Sequence, residues 1–337
     1  MANIKVANFV CKFGGQAVML DHFFEVIYPA FFNSSPRTYG DTTYHFFDLG
    51  LELVEIDGVK EPVLFGRFVR DAKISRTHVL EGEFLRRDDA SIDDASAAHF
   101  SLILSNHTLA YVALTSKAPS LQSFRATVHR HVLDAWKDFT LKLASEYQKS
   151  ERQNGKKILK NEAVSFVRKE LVPMPTLELR PLPSAASIKK FLMQFEKISW
   201  VKYSIEETNH TLDSKKLVQG LRAAKKGTNS ESIELIEKKP KDKAALAKQM
   251  EGVVGEGNVG AQVKGTSSTG AVMTGSNEEM AYSSELDISG NPNQMAAIAV
   301  QHVFSALATG ILRLGFMIGD GAKKADAIRK EIEKRRG

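Results

Sequence analysis

Residues 42–74 read TTYHFFDLGLELVEI-DG-VKEPVLFGRFVRDAKI, two runs that alternate apolar and polar side chains around Asp57-Gly58. A period of two puts successive side chains on opposite faces of a strand. The Asp-Gly pair supplies the positive φ angles that a two-residue hairpin turn requires. The stretch therefore predicts a β-hairpin at the centre of a β-rich front half.

Working outward, residues 4–13 alternate as a further strand, and residues 22–32 read as a short apolar helix ending near Pro29. Downstream, residues 88–98 are acidic and Ala-rich, which predicts a turn or short helix. Residues 100–104 and 109–114 form a second hairpin through Ser105-Asn106-His107-Thr108. Pro119 opens a helix running to about residue 147, with Leu121, Phe124, Val128, Val132, Ala135 and Phe139 at helical spacing. Asn154-Gly155 followed by Lys156 and Lys157 marks a break, and a short helix over 161–171 leads into Pro173.

Beyond the break the rhythm is strand and helix in turn: strands at 176–180, 199–205 and 230–236, helices at 185–195, 213–224 and 241–254. Short Gly/Ser-split strands close the segment at 258–264, 271–274 and 281–288. The pattern predicts an α+β fold whose C-terminal sheet is a split β-α-β, ferredoxin-like arrangement of antiparallel or mixed strands. A long helix follows from about Pro292, loosened at Gly319-Asp320-Gly321. Three parts result: a β-rich α+β domain over 1–153, a basic α+β domain over 154–290, and a helix over 291–337 for packing or oligomerisation.

The bulk numbers fit such a chain. A length of 337 residues exceeds one small core, and 43% hydrophobic with 26% charged residues is ordinary for a folded globular protein. A single cysteine, Cys11, excludes an internal disulfide framework and a cysteine-rich zinc module, and suits a reducing, cytoplasmic compartment. The first residues alternate and lack the long apolar run of a signal peptide. Residues 295–318 are the one apolar stretch of membrane-spanning length, but Gln301, His302 and Arg313 interrupt it and Gly310 and Gly315 weaken it. The sequence therefore predicts a buried helix there, carrying Ala296, Ala297, Ile298, Val300, Val303, Phe304, Leu307, Ala308 and Ile311 around much of its circumference. A helix apolar on most sides is covered by something, and a second copy of the chain is the simplest cover.

Charge is unevenly spread. Residues 1–144 hold 15 Lys/Arg against 17 Asp/Glu, and residues 145–337 hold 31 against 23. Between Ser214 and Lys248 stand ten Lys/Arg, with only Glu231, Glu234, Glu237 and Asp242 to offset them. Lys215, Lys216, Lys225, Lys226, Lys238, Lys239, Lys241 and Lys243 fall near predicted element ends, where one rim of the sheet would present them together. Such a rim neutralises phosphates without reading sequence; the alternative is a plain solvated surface. Lysine in place of arginine, with few aromatics nearby, argues against base readout and single-strand stacking.

Other motifs read more plainly. Gly255-Glu256-Gly257-Asn258-Val259-Gly260 has the spacing of a dinucleotide-binding turn, but a predicted helix precedes it and a strand follows, the reverse of what pyrophosphate binding needs. His131 and Asp134 share a helical face that His129 does not, which suggests a solvated face rather than a metal site. Asp88, Asp89, Asp93 and Asp94 lack a glycine-centred cation loop and have Arg86 and Arg87 beside them. Asp213, Glu237 and Lys239 have the order of a metal-dependent nuclease, in which two acids hold Mg²⁺ and the lysine positions water. The surrounding lysines satisfy that spacing by chance, and Asp213 also reads as a helix N-cap. No convincing catalytic set and no cofactor site emerges.

The strand over 176–180, the Ile/Tyr-rich strand Trp200-Val-Lys-Tyr-Ser-Ile-Glu, the basic helix over 215–226, the strand Ser-Ile-Glu-Leu-Ile and the glycine-rich hairpins over 257–275 together resemble the RexA-like phage-exclusion proteins and related bacterial defence families. The hairpin His99-Phe-Ser-Leu-Ile-Leu with Thr108-Leu-Ala-Tyr-Val-Ala, followed by Pro119-Ser and a helix, is similar to an element of the same families. The likeness covers roughly residues 60–290 in the order of elements. It implies a dimerising defence sensor that binds duplex DNA with little sequence preference and acts with an effector protein; only the basic positions above carry over. The expectation is thus a non-enzymatic DNA-binding protein, with a nuclease and an assembly protein as the rival readings.

Overall fold

The computed structural model describes residues 1–14, 17–81, 84–205, 211–212, 216–317 and 320–336; over 73–94, and at 211–212, 316–317 and 335–336, it describes the backbone alone. In chain order the front half holds β1 (Ala2–Phe13), β2 (Ala17–Val18), α1 (Tyr28–Phe32), β3 (Arg37–Tyr39), β4 (Thr42–Ile56), β5 (Val59–Glu81), β6 (Phe84–Ile103), β7 (Thr108–Ala113), α2 (Leu121–Gln153) and α3 (Lys160–Phe166). The chain continues through β8 (Pro175–Pro181), α4 (Ala185–Leu192), β9 (Lys197–Ile205), β10 (Thr211–Leu212), α5 (Lys216–Thr228), β11 (Ile233–Lys238), α6 (Lys243–Val254), β12 (Gly260–Thr266) and β13 (Val272–Ser276). It closes with β14 (Ser283–Leu286), α7 (Pro292–Ala308), β15 (Phe316–Met317) and α8 (Asp320–Arg336). The class is α+β.

The hairpin of β4 and β5 turns at Asp57-Gly58, both with positive φ, and pairs from Thr42 opposite Ala72 to Ile56 opposite Val59. It belongs to a nine-stranded sheet ordered β14-β1-β7-β6-β5-β4-β3, with β2 and β8 also on β1. Residues 88–98 are strand here, not a turn or helix, because the backbone of β6 pairs with β5 on both sides of a bulge at 88–89, as in Ala72 opposite Asp94 and His78 opposite Arg87. A cross-strand partner satisfies the backbone groups that a local turn would otherwise serve.

Apolar clusters lie against both faces of this sheet. On one, Phe9, Cys11, Phe13, Leu64, Phe68 and Phe100 meet α1, α2 and α8. Helix α2 begins at Ser120, whose hydroxyl accepts the Ser123 N–H at 3.1 Å, and it buries Phe124, Val128, Val132 and Trp136 at the spacing the sequence shows. On the other face, Ile4, Val6, Val63, Phe65 and Val112 meet Ala296, Ala299, Val300 and Val303 of α7.

Two expected boundaries move. A domain over 154–290 does not separate from the front half, since β8 pairs with β1 from Ala7 opposite Pro181 to Phe13 opposite Pro175. Strand β14 returns to the same edge, with Ala2 opposite Leu286. The second body is therefore an insertion, roughly residues 185–280, within the first. The C-terminal helix is not one rod either. Helix α7 ends at Ala308, Gly310 takes φ 71°, and α8 starts anew at Asp320. The apolar side of α7 is covered by its own chain's sheet, so it gives no reason to invoke a second copy. No described helix is long and apolar enough to cross a membrane.

The inserted body has a four-stranded antiparallel sheet ordered β11-β9-β12-β13. Strands β11 and β12 both run antiparallel to β9, so α6 crosses between two like-directed strands with a third between them. Starting from α4, the elements run α-β-α-β-α-β-β through this body, not the β-α-β-β-α-β of a ferredoxin-like sheet. Val201, Tyr203 and Ile205 of β9 pack with Leu246, Met250 and Val254 of α6 and with Ile188 and Phe191 of α4. The two bodies join where the Asn8 amide donates to Gly257 O at 3.3 Å and Asn258 Oδ1 at 3.2 Å. Arg180 and Arg222 each donate to Asn258 O at 3.0 Å. The glycine-rich stretch 255–260 is this joint, a turn between helix and strand, with φ 67° at Gly257.

Candidate nucleic-acid interface

Positive charge collects on the inserted body because its sheet is covered on one side only. Along β9 the alternation sends Val201, Tyr203 and Ile205 to the helices and Trp200, Lys202 and Ser204 to the other face. The strand register then sets what shares that face. Lys238 of β11 lies opposite Trp200, and Trp200 lies opposite Lys264 of β12. One row across three strands therefore reads Lys-Trp-Lys, with Ile236, Lys202 and Gln262 in the next. Ile236 is 49% exposed, an apolar residue left in water by the missing cover.

The end of the sheet beside that row adds more cations. Lys239 takes φ 53° and donates its N–H to Ser199 O at 2.9 Å, which folds the chain back over the start of β9. Exposed Lys197, Lys239 and Lys241 gather there. Lys243, in the first turn of α6, is half-buried with its ammonium on Phe195 O. Lys189 of α4 shares a small surface hollow with Lys243. Among the described residues, none of Lys197, Lys238, Lys239, Lys241 and Lys264 is paired with a carboxylate. Lys202 is, with Glu234 at 3.1 Å, and Asp242 caps α6 by accepting the N–H groups of Ala244 and Ala245.

The single rim drawn from the sequence divides. Ser230 N–H donates to Lys225 O at 3.1 Å, which holds Lys225 and Lys226 at the Ile233 end of β11. Lys238, Lys239 and Lys241 stand at the other end, about 17 Å away at some 3.3 Å per residue. Lys225 is only 7% exposed, so it lines a cleft and not the open rim; Lys226 is exposed. Lys216 opens α5, exposed. Lys215 lies outside the described residues.

Two lysines that the linear run misses, Lys197 and Lys264, join the group. They lie outside residues 214–248, and only strand pairing brings them in. A period-two reading of β12 would have shown Lys264 pointing away from Val263, but not which strand stood next to it.

Of the nuclease set, Asp213 lies outside the described residues. Glu237 accepts from the Gln249 side chain on α6, on the helix side of β11, and Lys239 lies past the strand end. Among the described residues no group of three or more His, Cys, Asp or Glu converges as metal ligands. His131 is buried edge-on to Phe46, and burial lowers its pKa, so its face of α2 is not the solvated one expected. Asp134 is bridged by Arg130 at 2.9 Å and Lys137 at 3.1 Å. The acids Asp88, Asp89, Asp93 and Asp94 sit on β6, where only the backbone is described.

The geometry supplies a flat, lysine-bearing sheet face with one half-buried tryptophan. Lysine ammonium groups act as point charges and lack the fork that reads a base edge in two places. No family model matches this chain, and no curated protein is significantly similar to it, so the arrangement of its own residues is what speaks to its role.

Proposed function

We propose that the chain binds duplex DNA without reading its sequence, through the uncovered face and lysine-bearing end of the inserted sheet. The observation that carries this is the Lys238–Trp200–Lys264 row with Lys197, Lys239 and Lys241 beside it. Neutralising backbone phosphates releases counterions, and that gain is the same for every sequence. The resemblance to phage-exclusion proteins suggests the setting: a non-enzymatic component of bacterial phage defence that acts with a partner effector.

Fluorescence anisotropy with a labelled duplex tests the surface. If about four to six lysines touch phosphates, log K falls against log salt with a slope of roughly −4 to −5, and Kd lies around 10⁻⁴–10⁻⁶ M at physiological salt. Replacing Lys238, Lys239, Lys241 and Lys264 together by Glu abolishes binding. Four reversals elsewhere, at the exposed Lys142, Lys149, Lys156 and Lys157, leave it largely intact. Equal losses in both variants would mean that total charge, not this face, holds DNA. Mg²⁺-dependent cleavage lost in Glu237→Ala would replace the proposal by the nuclease reading.

A further inference from the structure

In the large body, α1 with the residues before it, the segment 33–37 and one face of α2 enclose a hollow of about 850 Å³. The wall on α2 follows from helical spacing. His131, Asp134, Ala135 and Asp138 stand at steps of three and four from one another or from His131, and so share a face. Thr127, one turn before His131 on that face, accepts a hydrogen bond at 3.2 Å from Nη1 of Arg37. That bond brings the guanidinium close enough for its charge to act on the His131 ring. Burial lowers the pKa of this ring, with Asp134 opposing and Arg37 and Arg130 adding to the shift, so the imidazole is neutral at neutral pH.

His131 is only 7% exposed, yet among the described residues no hydrogen bond reaches either ring nitrogen. Arg37 is half-buried, and among the described residues it meets no carboxylate and bonds to Thr127 alone. Polar groups withdrawn from water are costly to leave unmatched, and these two line the same hollow. Beyond the N–H on Thr127, the guanidinium keeps the planar fork that fits a carboxylate. A neutral imidazole can donate to the same group. Pro29, Ala30, Ala135 and Phe139 make another part of the wall apolar. Asp134 is already matched by Arg130 and Lys137, whereas Glu25 and Asp138 are exposed beside the hollow. Their charges disfavour a phosphate dianion and leave room for a single negative charge on Arg37. The volume falls in the range of small-molecule sites, about 300–1,000 Å³.

We propose that this hollow binds a small amphipathic carboxylic acid, with its carboxylate on Arg37 and His131 and its apolar body against Pro29, Ala135 and Phe139. The inference does not rest on the DNA reading, which concerns the inserted body.

Isothermal titration of the full chain with phenylacetate, hexanoate, the amide of each and inorganic phosphate tests it. At least one carboxylate binds saturably, and the stronger of the two shows whether the body is aromatic or aliphatic. Its amide, alike in shape but uncharged, binds about tenfold or more weakly, in line with the strength of charge-assisted contacts. Arg37→Gln, which can still donate to Thr127, weakens the carboxylate by about tenfold and leaves the amide unchanged. Ala135→Leu fills the hollow and weakens both. Lys239→Gln, in the inserted body, leaves every affinity unchanged. The proposal is overturned if neither carboxylate binds, if the amide or phosphate binds as tightly, or if Arg37→Gln binds as the parent does. Should Arg37→Gln fail to fold, Ala135→Leu decides, and an undiminished affinity in that variant overturns the proposal.

Discussion

The two larger sheets of this molecule are built from similar residues and used differently. In the nine-stranded sheet, β1 and β5 are buried on both faces: Phe9 and Phe68 on one side, Val6 and Phe65 on the other. In the inserted sheet, β9 buries alternate residues and leaves Trp200 and Lys202 facing out. An outward position on a half-covered sheet adds little to stability whichever residue holds it. Charge accumulates on the uncovered face of the small sheet, and the proposed DNA-binding surface uses that face. The large sheet anchors; the inserted one presents.

The chain's two tryptophans divide between the bodies, Trp136 in the large one and Trp200 in the inserted one, so each body's unfolding is readable in a single-tryptophan variant. The largest effect is expected at Phe124, fully buried against Phe31, Phe46, Phe68, Phe100 and Tyr111. Phe124→Ala costs about 3–5 kcal/mol of stability, and denaturant unfolding followed at Trp136 shifts accordingly. If Trp200 shifts by the same amount in step, the bodies unfold as one and the division drawn above is structural only.

A second test uses pH. His99 is buried beside Arg67, and burial first, then that positive charge, holds its pKa down at about 4. The unfolded ring, at its ordinary pKa of about 6.5, takes up its proton earlier. Stability is therefore full above pH 6.5, declines as pH falls through the window, and is lost by about pH 4, a contribution on the order of 3 kcal/mol. Among the described residues every histidine lies in the large body, so the decline belongs to Trp136 and not to Trp200. His99→Gln flattens it; an unchanged profile in that variant would assign the acid sensitivity to other groups.

The smallest effect is at the joint. A Cβ on Gly257 would stand 2.4 Å from Leu182 and 3.2 Å from Asn8, at a φ of 67° that L-residues rarely adopt. Gly257→Ala costs about 1–3 kcal/mol and loosens the contact between bodies, read as faster limited proteolysis near residues 182–185. Unchanged proteolysis would mean that the Asn8, Arg180 and Arg222 bonds hold the joint without it.

Much of this architecture is legible in the sequence. The Asp57-Gly58 turn, the Ser105–Thr108 hairpin, the Ser120-capped helix and the strand–helix rhythm after residue 175 are each written within one short segment. The acidic stretch 88–98 is not, because its composition suits a solvated turn while its backbone is held by a partner strand, with Arg76 opposite Ala90 and Phe68 opposite Ala98. Of the candidate site, Lys238, Lys239 and Lys241 stand out in the linear charge run, but Lys197 and Lys264 do not, and Lys225 changes character from surface lysine to cleft wall.

The α+β class, most element types and the basic excess of the second half are readable from the chain alone, because periodicity, turn residues and charge are properties of neighbouring residues. That β8 and β14 close on β1, that residues 185–280 form an insertion, and that Lys225 and Lys226 stand apart from Lys238, Lys239 and Lys241 is visible only in the folded chain. The reason is that any strand edge offers the same N–H and C=O groups. Which edges meet, across separations as long as Ala2 to Leu286, depends on how whole apolar faces bury one another, and that information lies in no single segment.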